Sequence, residues 1–93
     1  MELTFEWDED KDLSNRKKHG VSFDEAKSVF NDPFSITIAD VQHSEDEDRY
    51  VDIGMSARSR LIVVSYTERE PNIRIISCRK ATKSEWRTYE QAT

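Results

Sequence analysis

A single cysteine, Cys78, among 93 residues excludes an internal disulfide. With only His19 and His43 beside it, a zinc site is not expected either. No run approaches the roughly 18 apolar residues that a membrane span needs. The first ten residues, M-E-L-T-F-E-W-D-E-D, are acidic where a signal peptide would be basic and then apolar. Internal repeats and linker-like stretches are missing too. These absences leave one domain, residues 1–93, with a modest core of one sheet and a few helices. A reducing cytoplasm is the expected setting, no cofactor is expected, and Cys78 reads as a buried, inert thiol.

An excess of positive charge is also lacking, since the net charge is −5. Its distribution is uneven. Residues 1–57 hold 6 Lys and Arg against 15 Asp and Glu, whereas residues 58–93 hold 8 against 4. Such asymmetry predicts a dipolar surface with one basic face, a weaker nucleic-acid signal than a wholly basic domain would give.

What is present is clear local punctuation. Leu3 to Trp7 alternates as a short strand, and Asp8 to His19 runs from acids to cations before Gly20, as a helix should. Ser22 and Glu25 form S-x-x-E, a capping box with Val21 and Ala26 at the staple positions, opening a helix that Pro33 ends. Phe34 to Ala39 and Tyr50 to Ala57 alternate as strands, the second with Val51, Ile53, Met55 and Ala57 on one face and Asp52 and Ser56 on the other. His43 to Arg49 between them reads as a solvated acidic loop. Arg58-Ser59 is a turn, Arg60 to Glu68 the most apolar strand, and Glu70-Pro71-Asn72 another turn. Strict alternation in Ile73 to Lys80 would put Ile73, Ile75, Ser77 and Arg79 on one face, and Arg74, Ile76, Cys78 and Lys80 on the other. Apolar residues on both faces predict a strand covered on both sides. Thr82 and Glu85 then form T-x-x-E, a second box, flanked by Ala81 and Trp86. The order is β-α-α-β-β-β-β-α, an α+β domain with a mainly antiparallel sheet and its helices on one side.

Several separated segments resemble the BrnT family of toxins from bacterial type II toxin–antitoxin pairs. They are F-E-W-D (Phe5 to Asp8), K-H-G-V-S-F-D-E-A (Lys18 to Ala26), F-N-D-P (Phe30 to Pro33), D-I-G (Asp52 to Gly54) and R-I-I-S-C-R-K-A-T (Arg74 to Thr82). The resemblance runs in order over nearly the whole chain. It implies a RelE-like fold and a ribonuclease activity that blocks translation. It also implies a BrnA-type antitoxin that neutralises the toxin and binds operator DNA, so that the toxin meets DNA only through its partner. The alternative is an inactive RelE-like module that acts through its partner complex.

Metal-free RNA cleavage uses the neighbouring 2′-OH as nucleophile and needs a base, cations for the phosphorane and an acid for the leaving oxygen. Arg79 and Lys80, at a strand end before a helix N-terminus, are candidate phosphate stabilisers with Arg58 in support, although solvated strand-end charge is the plainer reading. Arg60, Arg74, Lys17 and Lys18 are candidates for RNA contact. His19 is the candidate base, with helix capping an equal alternative. Glu68 is a second base candidate, unless it is simply solvated. Trp7, Tyr66 and Tyr89 could stack on bases, although Trp7 and Tyr66 are more often core.

Overall fold

The structure, a computed structural model, describes residues 3–44, 47–69 and 71–92. Glu45 and Asp46 of the acidic connection, and Glu70 of the last turn, lie outside the described residues. Elements follow the expected order: β1 (Thr4–Glu6), α1 (Glu9–His19), α2 (Phe23–Ser28), β2 (Ile36–Ala39), β3 (Arg49–Met55), β4 (Leu61–Arg69), β5 (Asn72–Lys80) and α3 (Lys83–Ala92). Single 3-10 turns occupy Val29–Asn31 and Val41–His43. The sheet order is β1-β5-β4-β3-β2, antiparallel throughout except where β1 pairs parallel to β5. No helix among the described residues is long and apolar enough to cross a membrane.

Helix α1 begins where Asp8 accepts from the N–H groups of Asp10 and Lys11, and ends at Gly20, whose φ of 70° is left-handed. Glycine adopts that conformation without a Cβ penalty. The helix has almost no apolar face, so polar side chains dock it. Buried Asp12 accepts from the Phe23 N–H at 2.8 Å. Buried Asn15 donates to the Val21 carbonyl at 2.8 Å and accepts from the Cys78 N–H at 3.1 Å. Strand β1 pairs only with Asn72 to Arg74, so Asn15 serves β5 beyond the reach of that edge strand.

One sheet face is sealed by α1, α2 and the turn after α2. Val21, Phe23, Ala26 and Val29 pack there on Ile62, Val64, Tyr66, Ile73, Ile75 and Cys78. Burying each large side chain of this set contributes about 1.5–3 kcal/mol. Gly54 permits the close approach, because a Cβ there would lie 2.7 Å from Val29 Cγ1 and 2.9 Å from the Ser35 Cβ. Asp32 fastens the same corner, accepting from the Met55 N–H at 2.7 Å, the Phe34 N–H at 2.9 Å and the Tyr89 hydroxyl at 2.6 Å.

Three expectations are corrected. The helices do not share one side: Tyr89 of α3 packs on Ile53, Leu61 and Val63, on the face opposite α1 and α2. Strand β4 is apolar at both parities, and its second face needs this cover. Strict alternation also fails in β5. Ser65 pairs with Ser77 but Tyr66 with Ile75, so Ile76 is the extra residue of a bulge. The bulge gathers Ile73, Ile75 and Cys78 on the sealed face and puts Arg74, Ser77 and Arg79 on the other, where bulged Ile76 is the apolar residue of β5. Finally, the strand predicted from Phe34 begins at Ile36, because Asp32 turns the chain at Phe34, which is 56% exposed.

Candidate functional site

The residues singled out in the sequence fall into separate places. Arg60 leaves the β3–β4 turn and donates from Nε to Glu25 Oε2 at 2.9 Å, and from Nη2 to Glu25 Oε1 and to the Gly20 carbonyl. Ser56 donates to the same carboxylate at 2.8 Å, and Arg58, mostly exposed, stands 4.0 Å from it. Glu25 therefore does not close its capping box. Ser22 still accepts from the Glu25 N–H, but the carboxylate serves Arg60, which holds it below the usual carboxylate range against the desolvation that opposes this. Through Gly20 this cluster adjoins the C-terminus of α1, where Lys17 and Lys18 are exposed and His19 is half-buried. Lys80, opposite Ile62 in the ladder, is exposed.

Arg79 lies on the other face. Its guanidinium grips Glu85 with two bonds of 2.7 and 2.9 Å, and Glu85 accepts from the Thr82 N–H at 2.8 Å. Here the capping box is complete, and the Arg79 fork, despite the cost of burial, drives the Glu85 carboxyl down to about 2. Glu68 is exposed at the far end of β4 and joins neither cluster. The aromatic candidates are engaged. Trp7 packs edge-on to Phe23, Tyr66 donates to buried Asp52 at 2.8 Å, and Tyr89 donates to Asp32. Burial raises Cys78 to about 12, keeping its thiol protonated.

The one sequence-selected residue that lines a sizeable opening on the part of the second face that α3 leaves uncovered is Arg74. A groove of about 440 Å³ lies there. Its floor is one row across three strands, with Arg49 of β3 opposite Thr67 of β4, and Thr67 opposite Arg74 of β5. Bulged Ile76 completes the floor, and Lys11, Arg69, Gln42, His43 and Glu47 form the rim. His43 stands on the 3-10 turn after β2 with Nδ1 2.9 and 3.0 Å from the two Asp40 carboxylate oxygens. Glu47 grips Arg69 at 2.8 and 2.9 Å, and Glu6 holds Arg74 at 3.1 Å. Arg69 above all, then Arg74, keep Glu47 below its ordinary range. Two polar atoms of the floor have no hydrogen-bond partner among the described residues: Arg49 Nε and Thr67 Oγ1.

Chemically, the groove offers an imidazole oriented by a carboxylate, three guanidiniums and an ammonium. That is a base beside acceptor-seeking cations, the set that phosphodiester chemistry requires. Sequence reasoning missed most of it. Arg49 was read as the end of the acidic loop, although extending the β3 alternation by one residue puts it in phase with Val51 and Ile53. Nothing in the sequence signalled that His43 and Glu47 fold back over β4 and β5.

The family profile described as "Ribonuclease toxin, BrnT, of type II toxin-antitoxin system" matches residues 7–85. The chain also superposes on the 1.1 Å crystal structure of the Brucella abortus ribonuclease toxin, BrnT, with a TM-score of 0.67 and 21% identity. That match covers 88% of this chain and 100% of the other, and shows a shared fold. No curated protein sequence matches the chain.

Proposed function

Because the chain belongs to the BrnT family of type II toxin–antitoxin ribonuclease toxins, we propose that it is an endoribonuclease whose substrate RNA lies in the groove across β3, β4 and β5. The observation that carries this reading is the Asp40-anchored His43 above the row Arg49–Thr67–Arg74. With Nδ1–H donated to Asp40, the His43 Nε2 is left with its lone pair for the 2′-OH proton. The freed 2′-oxygen attacks the adjacent phosphorus. Arg69 and Arg74 then stabilise the charge that builds on the phosphorane oxygens, and Lys11 meets the departing 5′-oxygen. Bond making and breaking involve only the RNA and protons, so the product is a 2′,3′-cyclic phosphate and no metal is required.

In the cell this activity would halt translation in the cytoplasm. A BrnA-type antitoxin would neutralise it and carry the pair to operator DNA. Expression of the chain alone should arrest bacterial growth, and co-expression of the neighbouring antitoxin gene should restore it. In vitro, cleavage of a labelled RNA should persist in excess EDTA and leave the cyclic end. Chelator-sensitive cleavage would end the metal-free mechanism.

One observation favours a second reading, a module that acts only through its partner. Arg60, Arg69, Arg74 and Arg79 are each matched with a carboxylate of the same chain. Normal growth with abundant folded protein would favour that reading. The basic end formed by Arg58, Arg60, Lys17, Lys18 and Lys80, with His19, is on either reading a surface for RNA or for an acidic antitoxin segment.

A further inference from the structure

We propose that Arg49 and Thr67 form a dedicated phosphate subsite on the groove floor, separate from the carboxylate-paired Arg69 and Arg74. The proposal rests on the groove being the RNA site, and it adds which atoms take hold of the backbone. Thr67 is only 5% exposed, yet its hydroxyl has no partner among the described residues. Directly opposite in the ladder, Arg49 leaves its Nε–H equally unanswered. Buried polar groups are nearly always hydrogen-bonded, so two adjacent orphans on residues that line one groove point to a ligand.

Their chemistry narrows the choice. Arg49 Nε is a donor only, and the Thr67 hydroxyl is free to donate beside it. Arg49 also brings a charge that, unlike those of Arg69 and Arg74, no carboxylate of the described residues neutralises. The ligand is therefore an anion rich in acceptor oxygens. A tetrahedral phosphate has enough oxygens to bridge Arg49 and Thr67 and still face Arg74 across the row. A carboxylate has two, and the chain already supplies one of these to Arg69 through Glu47. Phosphate is the better fit.

Two conservative changes isolate the subsite. Thr67→Val keeps the shape and removes the hydroxyl; Arg49→Lys keeps the charge and removes the Nε–H. The probe is a fluorescent 2′-deoxy oligonucleotide, which binds without being cut, so the result does not depend on catalysis. Its affinity should fall about tenfold in each variant, the loss expected for one charge-assisted hydrogen bond. Thr67→Val should melt no lower than the wild type, because it removes an unsatisfied buried group. In ¹⁵N spectra the Arg49 Nε–H signal should move on addition of oligonucleotide, and far less with equimolar inorganic phosphate if the subsite serves the nucleic-acid backbone. Unchanged oligonucleotide affinity in both folded variants would overturn the proposal. So would an oligoglutamate peptide that moves the Arg49 signal and loses affinity in both variants while the oligonucleotide does not. Loss of the ribonuclease reading alone would appear differently, as a subsite that binds oligonucleotide in a protein that cuts no RNA.

Discussion

The two faces of the sheet treat polar groups in opposite ways. On the sealed face the buried polar side chains of Asn15, Asp12 and Asp52 are answered, by Val21 and Cys78, by Phe23 and by Tyr66. Among the described residues there, only the Trp7 Nε1 is left without a partner. On the open face Glu47 holds Arg69 at the rim and Glu6 holds Arg74 on the floor, and the floor keeps two unanswered donors. A core must satisfy its own hydrogen bonds, since each buried group left unmade costs about 1–3 kcal/mol. A binding surface leaves some for its ligand. The sealed face is thus where substitutions should cost stability, and the open face where they should cost function.

The largest effect is expected on the sealed face. Asn15→Leu strands the Cys78 N–H and the Val21 carbonyl without their side-chain partner, and should lower stability by about 3 kcal/mol in urea titration. A loss below about 0.5 kcal/mol would mean that α1 is not docked by its polar side chains.

Arg79→Ala tests the seam between the regions. The Arg79–Glu85 pair is partly solvated, so its removal should cost only about 1 kcal/mol at pH 7. Glu85 titrates lower in the folded chain, at about 2 against an ordinary 4.5. The stabilisation is therefore present in full above about pH 4.5 and lost as the pH falls toward 2. Thermal melts of wild type and variant should converge over that window. A gap that stays constant with pH would show that Arg79 acts through packing alone.

The smallest stability effect belongs to the rim. Glu47→Gln should change stability by less than about 0.5 kcal/mol, as an exposed pair does. Yet it frees Arg69, and affinity for a 2′-deoxy oligonucleotide should rise a few-fold at low salt. Weaker binding would show that Glu47 contacts the ligand instead of competing with it.

The elements were legible because their signals are local. Asp8, Gly20, Ser22 and Thr82 mark helix ends through bonds within a few residues, and the element order follows. The two capping boxes read identically in sequence and diverge in space. Glu85 completes its box, while Glu25 is drawn to Arg60, 35 residues away. The bulge at Ile76 was equally hidden, since an extra residue is defined only against the partner strand. By shifting the phase it brings Arg74 and Arg79 to one face, which strict alternation would have kept apart. The groove needed both that shift and a loop fold-back, so Arg74 alone was chosen from it in advance. His43 passed as part of a solvated loop because its partner Asp40 carries no motif.

The account stands on His43 as the base of the open face. Single-turnover cleavage of a labelled RNA by the wild type and by His43→Ala, each checked for fold by circular dichroism, measures this directly. The expected result is a rate lower by about two to four orders of magnitude in the variant, the usual range for a lost general base. RNA affinity should be little changed, because Arg49, Arg69 and Arg74 remain. Cleavage by His43→Ala at the wild-type rate would contradict the account and send the search for the base to His19 and Glu68, outside the groove.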